Sequence, residues 1–103
     1  MSADKLRDIA SVIRSKNAGP LLLTLDVILP DFETFSRVVD SGALAASRMA
    51  DLYRVSHNEV SVTPYAQALA IKITLPRRFR SGGPQDTDVY GAQQHVPLFN
   101  VEI

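Results

Sequence analysis

Leu69-Ala70-Ile71-Lys72-Ile73-Thr74-Leu75 decides the fold. Leu69, Ile71, Ile73 and Leu75 point one way, while Ala70, Lys72 and Thr74 point the other. That alternation predicts a strand over Ala68 to Leu75 with one buried and one solvated face, the habit of an antiparallel sheet. The four residues Val60 to Thr63 alternate in the same manner, and Pro64 ends that strand or marks an edge.

The remaining elements are read outward from this pair. Leu21 to Leu29 is rich in branched residues, interrupted by Thr24 and Asp26, and bounded by Pro20 and Pro30, so it is expected to be a strand. Leu6 to Ile13 fits helix and strand spacing alike, and the neighbouring strand favours a strand there. Arg14 to Pro20 would then be the connecting loop. Asp31 is placed to cap a helix whose stripe is Phe32, Phe35 and Val39, with Gly42 as its left-handed C-terminal residue. A second helix is expected over Ala43 to Tyr53, burying Ala45, Met49, Leu52 and Tyr53 and exposing Arg48 and Asp51. Ser56 and Glu59 have capping-box spacing for one further turn. Pro97 to Ile103 alternates as a final strand. The order β-β-α-α-β-β-loop-β implies an α+β, ferredoxin-like sandwich: a mainly antiparallel sheet with two helices on one face.

The whole chain fits a single domain. Its 103 residues, 46% hydrophobic and 21% charged, suffice for one core. Eleven basic residues balance eleven acidic ones, so no net field draws in nucleic acid or an anionic membrane. The absence of cysteine excludes disulfides, thiolate catalysis and cysteine-ligated metals. No run approaches the ~18 apolar residues of a spanning helix, and the first residues lack a signal peptide's apolar core. A cytoplasmic protein without metal or other cofactor is the expectation.

Three stretches could carry chemistry. Arg14-Ser15-Lys16-Asn17-Ala18-Gly19 sets two cations, a hydroxyl and an amide ahead of a glycine. It can hold a carboxylate or phosphate, Arg14 as a fork and Lys16 as a point charge, or it can be a solvated hairpin. Asp88-Val89-Tyr90-Gly91-Ala92-Gln93-Gln94-His95 offers more hydrogen-bonding capacity than a turn needs. His95 could move a proton near neutral pH, with Tyr90, Gln93 and Gln94 orienting a substrate oxygen; a structural histidine is the competing reading. His57 has no ligand spacing with it. Arg77-Arg78-Phe79-Arg80 suits a solvated loop or a patch for an acidic partner better than nucleic acid.

Leu6 to Ala10 running into Arg14 to Pro20, then Leu69 to Pro76, then Asp88 to Leu98, together resemble the domain-of-unknown-function family 4387. The resemblance covers nearly the whole chain. It implies a small stand-alone relative of the C-terminal, ferredoxin-like domain of acyclic-terpene-utilisation-like proteins, and hence a small subunit of such a larger protein. It further implies a shared site for a small carboxylic acid and lyase, hydratase or isomerase chemistry. In that site Arg14, Ser15, Lys16, Asn17, Gln93 and Gln94 would bind substrate, and His95 and Tyr90 would be catalytic. A self-sufficient homo-oligomeric enzyme and a regulatory module that binds a small acid are the alternatives.

Overall fold

The computed structural model describes residues 4–19, 21–76 and 96–103. Its centre is a four-stranded sheet: β1 (Val12–Gly19), β2 (Leu22–Ile28), β3 (Ser61–Tyr65) and β4 (Ala70–Pro76). The spatial order is β1-β2-β4-β3, and each neighbouring pair is antiparallel. Three helices accompany it: α1 (Leu6–Ile9), α2 (Phe32–Ser41) and α3 (Ala46–Tyr53). The architecture is the expected α+β, ferredoxin-like sandwich.

One face of the sheet builds the core. Leu23, Leu25 and Val27 of β2 and Ile71, Ile73 and Leu75 of β4 are all buried, because alternate residues share a face. Phe35 and Val38 from α2 and Met49 from α3 close over them in one cluster, joined by Leu6 and Leu98. Burying each such side chain contributes roughly 1.5–3 kcal/mol of transfer free energy.

The helix boundaries follow local chemistry. Asp31 has extended backbone angles, and its Oδ1 accepts from the Thr34 N–H at 2.8 Å. Gly42 ends α2 at φ 72°, a left-handed conformation that only glycine adopts without cost. The Ser41 Oγ–H donates to the Val38 carbonyl, and Oγ accepts from the Ala43 N–H, locking the corner into α3. α3 ends instead on Arg54, at φ 58°. The β3–β4 hairpin turns through a 3₁₀ turn (Ala66–Ala68) and Leu69 at φ 53°, so β4 begins at Ala70.

Five expectations are corrected. Leu6–Ile9 is a helical turn and the strand starts at Val12, so Arg14 to Gly19 lie inside β1 and not in a loop. Leu6 accounts for this, being fully buried and held by its N–H donating to the Val101 carbonyl at 2.8 Å. Pro97 to Ile103 is a 3₁₀ helix (Val96–Asn100) followed by one bridge between Lys5 and Glu102. Pro97 fixes a φ suited to that turn. In α2 the buried pair is Phe35 and Val38; Phe32 and Val39 are exposed, and Phe32 stacks on Phe35 from outside. In α3, Met49 and Ala50 are buried and Tyr53 half-buried, while Ala45 and Leu52 are exposed. Ser56 supplies no side-chain cap, although the following residues form a 3₁₀ turn (His57–Glu59).

Candidate functional site: the open face of the sheet

The strand alternation that builds the core also fixes what the opposite face displays. Register places Arg14 opposite Asp26, Asp26 opposite Lys72, and Lys72 opposite Thr63, a row crossing all four strands. The next row is Lys16, Thr24, Thr74 and Ser61. On one side lie Val12, Ile28, Ala70 and Tyr65; on the other, Leu22 faces Pro76. Val12, Leu22 and Tyr65 are exposed at 41%, 45% and 49%, high for apolar and aromatic side chains in strands. Polar residues thus fill the middle rows of this face and apolar ones its ends.

Electrostatics on this face are local. Arg14 Nε lies 3.3 Å from Asp26 Oδ2; the Asp26 side chain is 18% exposed and that of Arg14 63%. The contact runs through Nε. Lys16 and Lys72 are exposed, and Thr24 between them is buried.

The four residues singled out on the first stretch therefore do not form one cluster. Arg14 and Lys16 share the open face, whereas Ser15 and Asn17 point to the helix-bearing side, half-buried with Ile13. Reading the stretch as a loop hid this, because only a strand sends neighbours to opposite faces. Tyr90, Gln93, Gln94 and His95 lie outside the described residues, as does the Arg77 to Arg80 cluster. Asp26 and Lys72 were the residues missed. Their signal was present: a lone carboxylate inside an apolar strand, and a lysine in register with small and hydroxyl residues.

Elsewhere, burial pushes the Tyr53 phenol above its usual range. It sits on α3 against the core, so this marks packing and not an acid–base group. An apolar hollow of about 110 Å³ lies between the α2–α3 corner and β3, lined by residues including Val38, Leu44, Val62 and Pro64. Among the described residues no cluster of three or more acidic or histidine side chains could hold a metal, and no helix is long and apolar enough to cross a membrane.

A family model, the domain of unknown function DUF4387, matches residues 6–102. The chain belongs to that family. No curated protein and no solved structure matches it. The DUF4387 match takes in every described strand and helix, so the open face is part of the family's domain and no appendage to it.

Proposed function

We propose that this DUF4387 chain is a small subunit that docks on a larger acyclic-terpene-utilisation-like protein and contributes polar residues to a shared site for a small carboxylic acid. The observation that supports it best is the two-sidedness of the sheet. One face is sealed by α2 and α3, and the other presents Arg14 and Lys16 within an exposed, partly apolar frame. A flat face of this kind holds a small ligand only when something covers it, because ligand sites are concave.

In this reading Arg14 offers the outer edge of its guanidinium to the acid's carboxylate, and Lys16 adds a second charge. Sequence assigns His95 the proton transfer and Tyr90, Gln93 and Gln94 the orientation of the acid. Ser15 and Asn17 support β1 from its other side. The chemistry is of lyase, hydratase or isomerase type, and the compartment is the cytoplasm.

The test is co-expression of the full chain with a larger acyclic-terpene-utilisation-like protein, native mass measurement, and assay of the complex on small organic acids. A stoichiometric complex is expected, active only when both chains are present. His95→Ala should leave assembly intact and lower turnover by about 10²–10⁴-fold, the usual worth of a general acid or base. Turnover by the lone chain at the same rate would refute the subunit role.

A further inference from the structure

The described strand residues of the open face carry three cations, Arg14, Lys16 and Lys72, against one carboxylate, Asp26. Those described residues thus carry an excess of two positive charges in a chain whose overall balance is zero. Arg14 is matched to Asp26, and a substrate carboxylate would offset one more charge. Asp26 stands between Arg14 and Lys72 in the register, so one carboxylate faces two cations, and Lys16 has no carboxylate opposite it among the described residues.

We infer that the surface which covers this face is a protein surface bearing carboxylates, at least one of them seated over Lys72 and the hydroxyls of Thr63 and Thr74. This deepens the subunit reading, on which it rests only for the identity of the partner. The charge distribution argues against the other occupants. A second copy would set two faces of like excess charge against each other, and like charges juxtaposed in an interface oppose association. A nucleic acid asks for a broader cation field without a carboxylate at its centre, and for more than one exposed aromatic to stack bases. Here Asp26 is central and Tyr65 lies at the rim.

The size of the face sets the expected strength. Four strands about 4.8 Å apart and about seven residues long span roughly 400 Å². A stable interface buries about 800 Å² on each partner. The open face is therefore about half of what specific association needs, and its contribution is weak and screened by salt.

The experiment is an NMR titration of the isotope-labelled full chain with polyglutamate at low salt, with a short DNA duplex of equal charge as the competing probe. Saturable shifts are expected at Lys16, Thr24, Asp26, Thr63 and Lys72. The K16E/K72E double variant should weaken binding at least tenfold, and K16R/K72R should restore it. Raising salt from about 0.05 to about 0.3 M should weaken it as well. Lys16 and Lys72 are exposed, so the variants should melt like the parent; if the glutamates impair folding, K16Q/K72Q reads the same loss. Shifts confined to α2 and α3, affinity unaffected by K16E/K72E, tighter binding of the duplex, or the same shifts arising from self-association on concentration would each overturn the inference. Polyglutamate binding at the open face without assembly on the larger protein would support it while refuting the subunit reading.

Discussion

The two faces of one sheet share the same backbone and do opposite work. On the helix side, Leu23, Leu25 and Val27 meet Ile71, Ile73 and Leu75 with almost no exposed area. On the open side, the intervening residues are Thr24, Asp26, Lys72 and Thr74, with Arg14 and Lys16 beside them. Burial of the first set holds the domain together, while the exposed charges of the second, Arg14, Lys16 and Lys72, add little to stability. Core-facing and outward-facing residues are thus interleaved one by one along β2 and β4, and a one-residue slip of either strand would exchange the two faces.

The largest effect that sharpens this contrast comes from paired truncations. Leu25→Ala should cost about 2–5 kcal/mol, since Leu25 has no exposed surface and its removal leaves a cavity. Lys72→Ala should stay within about 0.5 kcal/mol, as surface changes do. Urea denaturation of both variants measures the difference, and equal losses would break the comparison. Next come the two left-handed helix ends. Gly42→Ala should destabilise by about 1 kcal/mol from backbone strain alone, because a Cβ there meets nothing within 4 Å. Arg54→Gly should stabilise by about 0.5–1 kcal/mol, the site being exposed and at φ 58°. Thermal melts of the two variants should shift in opposite directions.

A smaller effect separates stability from binding. Asp26→Asn removes the partner of Arg14, an ion pair that is largely exposed on the arginine side and contributes about 0–1 kcal/mol. The same change raises the positive excess of the open face, so polyglutamate should bind more tightly to a slightly less stable protein. Parallel melting and titration would expose any case in which both move together. The smallest effect is at Asp31, whose carboxyl is held below its ordinary 3.8 by the Thr34 N–H. A depressed carboxylate stabilises the fold above its unfolded value and loses that contribution as pH falls through the folded value. Asp31→Asn keeps an acceptor at the cap, so the variant should lose less stability than the parent as pH falls below the ordinary carboxyl value in acid titrations.

Much of this was legible in the sequence. Period-two alternation in β4, the Pro-bounded apolar run of β2, the Asp31 cap and Gly42 specified the central strand pair and α2, whereas the strand expected over Pro97 to Ile103 is a 3₁₀ helix followed by one bridge. Leu6 to Ile13 was not legible, because its apolar spacing satisfies both periods and the deciding contact, Leu6 with Val101, is separated from it by nearly the whole chain. That one ambiguity displaced β1 and made the Arg14–Asn17 stretch look like a loop. The stripe of α2 was misjudged for a related reason: Val38 and Val39 are equally apolar, and only tertiary packing selects Val38. Arg14 and Lys16 were legible as candidates from their chemistry. Their separation from Ser15 and Asn17, and their alignment with Asp26 and Lys72, required the strand register.

The central claim, that the open face is the docking face, is tested most directly by hydroxyl-radical footprinting of the full chain with and without the larger acyclic-terpene-utilisation-like protein. The account predicts that Leu22 and Tyr65 lose reactivity in the complex, while Phe32 and Leu52 on the helices keep theirs. Protection of Phe32 and Leu52 with Leu22 and Tyr65 unchanged would contradict it.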